Sequence, residues 1–434
     1  MHRDQGTDPS WYATRQPVRP PRPVPDGDIE AEVGIVGGGL SGLSTALQLA
    51  ERGVSVVLLE AEWFGAGASG RNGGQALQGY AAAMPALEAA VGRTCAQVMW
   101  DMSRDALALL KDRVARFGIA CELAQNGYLY AAVHAGQMAE LGHWRRHAAE
   151  RYHYPDLIEL DRSALRQHVA SDAYIGALYD PHEVHLDPLA YTLGLAQAAE
   201  RAGARLYEQS RVGSWRQDGE RLLVQAPWGR LRCRKLLFAV NTGAGALVPS
   251  LARYFLPVES FIVATEPLGA DAARALLPGG AALADCNRVL NYFRTTSDHR
   301  LLFGGRAGGT RANRAEGTRR RMLAVFPQLA GARIDHAWGG HVDVPLNKLP
   351  HFGRLADKVY FVQGFCGHGL ALTGLAGQLV AEAMCGRPER FDLFARIQHR
   401  RLPTYLPGFN RTAVALGMAS QQLLDWADAR RHRS

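Results

Sequence analysis

The 434 residues, 47% hydrophobic and 21% charged, suffice for two or three domains with full cores in a soluble globular protein. No stretch approaches the roughly 18 uncharged apolar residues of a membrane span, and the opening MHRDQGTDPS lacks the apolar region of a secretory signal, so the expected location is the cytoplasm. The net charge of +8 does not point to nucleic acid: 45 of the 49 basic residues are arginine, a coding skew, and the clusters at 319–321, 399–401 and 430–433 are short and read as solvated faces. Six cysteines without a CxxC spacing fit reduced thiols.

In chain order, residues 1–29 form an arm. Its stretch 14–27, TRQPVRPPRPVPDG, cannot be helical, because each proline removes a donor and biases its predecessor to extended geometry. It is expected to lie along the surface of the body. An apolar run at 33–36 leads into Gly37-Gly38-Gly39-Leu40-Ser41-Gly42, an amphipathic stretch at 43–52 ends at Gly53, and a second apolar run at 54–59 closes on Glu60. This is strand, glycine turn, helix, strand, acid, the pattern of a dinucleotide-binding βαβ unit. Gly37 serves the tight turn, Gly39 the approach of the backbone to a pyrophosphate, and Gly42 close helix–strand packing, while free N–H groups at the helix start face the phosphates. Glu60, eighteen residues beyond Gly42, brings a carboxylate to the ribose hydroxyls of an adenosine and disfavours a 2′-phosphate. The unit by itself does not separate FAD from NAD.

Helical periodicity covers 86–116 and 136–151. Asp187-Pro188 starts a helix over 189–202, ended at Gly203, and the turns Asp218-Gly219 and Trp228-Gly229 divide alternating runs into a small antiparallel meander. A buried strand at 236–240 ends in Asn241-Thr242-Gly243. From 255 to 345 the strands lengthen, at 258–265, 290–294, 301–304 and 334–344, with one helix at 313–326. This reads as an antiparallel sheet with one face covered. A strand at 359–362 empties into Gly364-Phe365-Cys366-Gly367-His368-Gly369, followed by a helix at 370–384 ended at Gly386. That turn presents a second helix N-terminus to an anionic group.

Three stretches carry a resemblance over nearly the whole chain: Ser10-Trp11-Tyr12-Ala13 with the proline-rich arm, Gly65-Ala66-Gly67-Ala68-Ser69-Gly70-Arg71-Asn72-Gly73-Gly74-Gln75, and the Gly364 to Gly369 turn. They resemble the D-amino-acid oxidase and sarcosine/glycine oxidase superfamily of FAD enzymes, and within it the gamma-glutamylputrescine oxidase branch. The resemblance implies an α/β (α+β) protein: a two-dinucleotide-fold FAD-binding domain built on the βαβ Rossmann unit, with an inserted antiparallel-sheet substrate domain. The expected boundaries are the arm at 1–29, a discontinuous FAD domain from 30–80, 150–250 and 350–390, a helical insertion at 81–149, a substrate domain at 251–349 and a C-terminal helical tail at 391–434. Non-covalent FAD is expected on Gly37, Gly39, Leu40, Ser41, Gly42, Glu60, Ala61, Ser69, Gly70, Asn72, Gly73, Gly74, Gln75, Val212, Gly243, Gly364, Gly367, His368 and Gly369. The Asn241-Thr242-Gly243 turn resembles the second flavin motif of this fold.

By the same resemblance, Tyr80, Tyr292, Arg306, Trp338, His341 and Asn347 are the candidates for the substrate pocket. Amino-acid oxidases of the superfamily clamp a substrate carboxylate with an arginine near the strand that returns to the FAD domain. The stretch 338–344, WGGHVDV, has none, and Arg306 is the nearest candidate upstream. The lysine around 301–303 that sarcosine-type oxidases use for oxygen activation, and the cysteine near Trp338 that ties their FAD covalently, are also missing. Cys366 stands where the family has a small residue such as serine and reads as a neutral replacement. His182, His185 and Asp187, and the pair His143 and His147, have spacings a metal could use, but no cysteine cluster completes either set and no metal is expected. The expected activity is oxidation of an amine C–N bond to an imine and then an aldehyde, with reduction of O2 to H2O2 or of another acceptor, on gamma-glutamylputrescine or a similar amine. One alternative is a glycine, sarcosine or D-amino-acid oxidase or dehydrogenase using Arg306. Another, from a different class, is a flavin-fold protein that binds or modifies RNA, which steeply salt-dependent binding would favour.

Overall fold

The apolar runs on either side of the glycine turn become adjacent strands because they are buried on both faces and need no polar side. In the computed structural model, Val33–Val36 pairs in parallel with Val56–Leu59 and, on its other edge, with Lys235–Phe238. Described are residues 9–17, 20, 22–245, 247–306, 311–403 and 409–431, without the side chains of 306, 311, 312, 411 and 429. The sheet has six strands in the order His351–Ala356, Val359–Gln363, Lys235–Phe238, Val33–Val36, Val56–Leu59, Arg205–Tyr207, parallel except for the His351–Ala356 edge. Helices Leu40–Ala50, Pro188–Arg201 and Gly369–Met384 cover one face, and Arg93–Phe117 packs on the last of these. The other face carries Val36, Val57, Leu59 and Phe238 and packs on the meander strands Ser214–Asp218, Arg221–Ala226 and Gly229–Cys233.

The second sheet has eight strands, in the order Ile334–Val344, Leu256–Thr265, Leu301–Arg306, Asn291–Thr295, Ala282–Asp285, Tyr128–Ala132, Gly176–Asp180, Ile158–Asp161. Helix Arg311–Val325 covers one face of it. Two expectations change here. The sheet is not wholly antiparallel, since Ala282–Asp285 and Tyr128–Ala132 run in parallel. Its last three strands come from 128–180, so the stretch expected to be helical contains a sheet strand, and strands at 158–161 and 176–180 belong here rather than to the six-stranded sheet. Sequence periodicity cannot show this, because strand pairing between distant segments is a tertiary choice. Periodicity at 86–116 also hides a break: Met84–Val91 and Arg93–Phe117 are separate helices, divided at Gly92 with φ +80°.

The residues just ahead of the 14–27 stretch are not at the surface, and their helix, Trp11–Arg15, takes in the first two residues of that stretch. Trp11 and Tyr12 are 1% and 0% exposed and fill a small core with Leu189, Ile262, Leu302 and Trp338, between the helices of the first sheet and the face of the second. Aromatic rings of this size bury enough area to anchor the arm. Among the described residues no single helix is long and apolar enough to cross a membrane.

Candidate functional site

The glycine turn is built by contacts only glycine tolerates. Gly37 has φ +114°, and a Cβ there would sit 2.3 Å from the Ala239 carbonyl oxygen. A Cβ on Gly42 would meet the Gly37 oxygen at 2.0 Å. Gly39 caps helix Leu40–Ala50 without a side-chain bond; its Cβ would stand 2.8 Å from Ser69 Oγ, and that hydroxyl accepts the Leu40 N–H at 3.0 Å. Ser69 thereby lies over a helix N-terminus, where free N–H groups and the dipole favour an anion. The Glu60 carboxylate accepts the N–H groups of Gly38 at 2.6 Å and Glu62 at 2.9 Å. Burial raises its pKa, against the pull of those amides. Glycine cradle, helix N-terminus, hydroxyl and buried carboxylate fit the adenosine-diphosphate half of FAD.

The run from Ser69 to Gln75 is fastened at nearly every residue. The Asn72 amide donates to the Ala68 and Ser69 carbonyls, each at 3.0 Å, and accepts the Gly74 N–H at 2.8 Å. Gly74 has φ +75°, and a Cβ there would lie 2.1 Å from Leu186 O. Arg294, 3% exposed, donates to the carbonyls of Gly73 at 2.7 Å and Leu186 at 2.9 Å and to the Tyr12 hydroxyl at 3.2 Å. Tyr12 in turn donates to Asn72 O at 2.9 Å. Arg71 Nε donates to Gly339 O at 2.7 Å, and the Trp338 indole donates to Arg71 O at 3.0 Å. Gln75 Oε1 accepts from the Tyr128 hydroxyl at 3.2 Å.

At the second turn, Gly364 has φ +83°, and its N–H donates to the Asp343 carboxylate. Cys366 N–H donates to Asp343 O at 3.2 Å. Burial raises the Asp343 pKa to about 7, opposed by the backbone amides of Gly364, Phe365 and Cys366. His368 precedes helix Gly369–Met384, and its Nε2 meets the Gln78 carbonyl oxygen at 3.0 Å. A carbonyl only accepts, so Nε2 carries the proton. Burial lowers the His368 pKa, which keeps the ring neutral. Gln78 is itself held, its side chain donating to Asp180 at 2.6 Å and its N–H to Glu183 at 3.3 Å. Burial raises the Glu183 pKa well above the usual range. Gly243 lies in a short turn after Lys235–Phe238, and a Cβ there would meet only Val240, at 3.9 Å. Val212 is packed against the meander side of the first sheet.

Strand alternation sorts the pocket candidates. Trp338 and Gly340 pair with Ile262 and Ser260, and the Ser260 hydroxyl meets the Tyr292 hydroxyl at 2.8 Å. Tyr292 abuts Gly73, so this face of the sheet looks onto the run 69–75. His341 pairs with Glu259, which bonds Arg314 of the helix on the opposite face. The structure therefore sets His341 apart from Tyr292 and Trp338, and it is exposed. Tyr80 turns into the helical core, donating to Met99 O at 2.6 Å with its ring 6.2 Å from that of Phe394. Asn347 organises its own loop, donating to Gln398 O at 3.1 Å and accepting from Leu349 N–H at 3.2 Å. Arg306 holds the ladder position opposite Ser260; its side chain lies outside the described residues. Arg294, Asp343 and Gln78 were not legible in the sequence, since each works through backbone brought from a distant segment.

The histidines diverge. His182 meets Asp156 at 2.9 Å, His185 meets Gly280 O at 3.0 Å, and His147 meets Glu88 at 2.9 Å. Among the described residues no group of three His, Cys, Asp or Glu is arranged to hold a metal ion.

A mainly parallel sheet with a phosphate-type glycine turn, a second helix N-terminus and the closely bonded run 69–75 is the arrangement of a FAD-dependent oxidoreductase. The chain belongs to the DAO family, the FAD dependent oxidoreductases, whose model matches residues 32–383. It is 37% identical over 398 residues to gamma-glutamylputrescine oxidoreductase of Escherichia coli (strain K12), spanning 91% of this chain and 93% of that one. It is 36% identical over 401 residues to the probable oxidoreductase OrdL of Haemophilus influenzae, spanning 91% and 92%. Its fold is similar to that of glycine oxidase from Bacillus cereus ATCC 14579, with a TM-score of 0.70 at 22% identity over 85% of this chain and 99% of that one.

Proposed function

We propose that the chain oxidises the C–N bond of an amine to an imine, which water converts to an aldehyde, with gamma-glutamylputrescine or a similar amine as substrate and O2 or another acceptor taking the electrons. One observation carries the choice of an amine without an α-carboxylate. The arginines beside the flavin run are committed to main-chain carbonyls, Arg71 to Gly339 and Arg294 to Gly73 and Leu186, and the strand Ile334–Val344 offers no other. Among the described side chains, a carboxylate next to the reacting carbon would then lack a bidentate partner; Arg306, opposite Ser260, is the residue on which the amino-acid alternative rests. The similarity to the E. coli enzyme named for gamma-glutamylputrescine supports the same choice.

FAD, when bound, supplies the two-electron acceptor for the amine C–H bond. In this reading Gly37, Gly39, Leu40, Ser41, Gly42, Ser69 and Glu60 hold the adenosine diphosphate. Residues 70–75 would carry the flavin, and the N-terminus of Gly369–Met384 would offer it positive potential, with His368 held against Gln78 O. Tyr292, which abuts Gly73, would border the substrate space, and Trp338, buried against Tyr12, would brace that face. Binding energy from the remote end of a long amine orients its reacting carbon.

The test is anaerobic bleaching of the flavin by gamma-glutamylputrescine, putrescine, sarcosine and D-alanine at equal concentration, followed by a peroxide assay in air. Gamma-glutamylputrescine should reduce fastest, putrescine at least about tenfold more slowly for want of its distal handle, and the other two hardly at all. Faster reduction by sarcosine or D-alanine would overturn the reading and point to Arg306 as the carboxylate partner. Bleaching without peroxide would assign another electron acceptor.

A further inference from the structure

The C-terminal helix Phe409–Arg431 concentrates the large exposed apolar side chains of the described residues: Leu416 and Leu423 at 66%, Trp426 at 54% and Leu424 at 46%. At about 100° per residue, Leu416, Ala419, Leu423 and Trp426 fall within one arc of about 80°. Asp425 and Asp428 lie on the other side. Both face the body, where Asp425 accepts from the Arg288 and Val289 N–H groups at 3.0 and 3.1 Å and the Arg288 guanidinium reaches Asp428 at 2.7 Å. The charges left outward are basic. Arg430 stacks over the Trp426 ring at 4.0 Å and Arg431 is exposed. Acids inward, Leu416, Leu423 and the arginines outward, and Trp426 half-exposed at the edge where the helix meets the body: the helix has sorted its charge by face.

We propose that this helix docks the protein on the surface of an anionic lipid bilayer, with Leu416, Leu423 and Trp426 entering the boundary between headgroups and acyl chains and Arg430 and Arg431 meeting lipid phosphates. Charge decides between this surface and a second copy of the chain. Two stripes facing each other, in either orientation, would offer Arg430 and Arg431 no free acid of the helix, since its two acids, Asp425 and Asp428, are already held by Arg288 of the same chain. Phosphate-rich lipid supplies the missing anions. The same short basic cluster that reads as a solvated face in the sequence thereby gains a partner.

The experiment is co-sedimentation of the FAD-loaded full chain with vesicles of phosphatidylcholine alone and of phosphatidylcholine with phosphatidylglycerol, at low and high salt, with light scattering in parallel. The bound fraction should be about tenfold higher on the anionic vesicles and fall with salt. Leu423→Glu with Trp426→Glu should lower it about tenfold, with flavin absorbance and circular dichroism unchanged, and Arg430→Gln with Arg431→Gln should erase most of the preference for phosphatidylglycerol. Equal pelleting on both vesicles, or undiminished binding by the Leu423/Trp426 variant, would overturn the proposal. A dimer of the unmodified chain that the Leu423/Trp426 variant dissolves would overturn it too and assign the stripe to a second copy.

Discussion

The Asp343 carboxylate, near the end of the longest strand of the eight-stranded sheet, accepts the backbone N–H of Gly364 in the turn that opens helix Gly369–Met384. One side chain thus ties the sheet to the FAD body. Burial raises its pKa to about 7, above the ~4 of a free aspartate. The sign follows from linkage: a group with a raised native pKa contributes stability that is complete below about 4 and is lost as the pH rises through about 7. For a shift of this size the contribution is on the order of 4 kcal/mol. Asp343→Asn keeps an acceptor for Gly364 and removes the titration, so the Tm of the unsubstituted chain minus that of the variant should fall as the pH goes from 4 to 7. A difference that stays flat across that window would show that Asp343 does not titrate there.

Gly39→Val should yield protein without flavin. The new Cβ would crowd Ser69 Oγ, which a glycine leaves at 2.8 Å from that position, and would raise a branched side chain at the mouth of the helix N-terminus. The readout is visible absorbance per chain after purification. In the unsubstituted protein, acid precipitation should leave FAD in the supernatant; flavin staying with the pellet would mean a covalent link.

Arg294→Leu should cost about 3 kcal/mol or more and weaken flavin retention. It strips the donors from one buried carbonyl, Leu186 O, and one partly buried, Gly73 O, and buried acceptors left unpaired are expensive. Arg294→Lys should recover only part, because an ammonium cannot reach both carbonyls in one plane as a guanidinium does. Thermal melts and flavin release on dilution measure the two effects.

Trp11→Ala tests whether the arm is structural. The ring is 1% exposed and 5.2 Å from that of Tyr12, so its removal should lower stability by about 3–5 kcal/mol. Tyr12 would then be less able to support Asn72. If melting is unchanged, the arm is dispensable for the core.

Cys366→Ser should leave turnover within about twofold, since serine keeps a small polar side chain at a left-handed position, φ +53°, where the backbone N–H still reaches Asp343 O and cap-type residues are tolerated. Loss of steady-state activity with flavin still bound would give the thiol a chemical role.

Local chemistry determined what the sequence could state by itself. The Gly37 turn, the Pro188 start of its helix and the two meander turns all depend on residues within a few positions of one another, and they stand where backbone stereochemistry requires them. The FAD body was legible for the same reason, because its signature is a short contiguous βαβ unit. Contacts between segments far apart in the chain were set by folding alone: the recruitment of Tyr128–Ala132 beside Ala282–Asp285, Arg294 fastening Gly73 across 221 residues, Asp343 holding Gly364, and the burial of Trp11 against Ile262 and Trp338. His341 shows the limit most simply. Its sequence neighbour Gly340 faces Arg71 in the run 69–75 and His341 does not, because which face of a strand is inward is set by pairing partners and not by the strand's own residues.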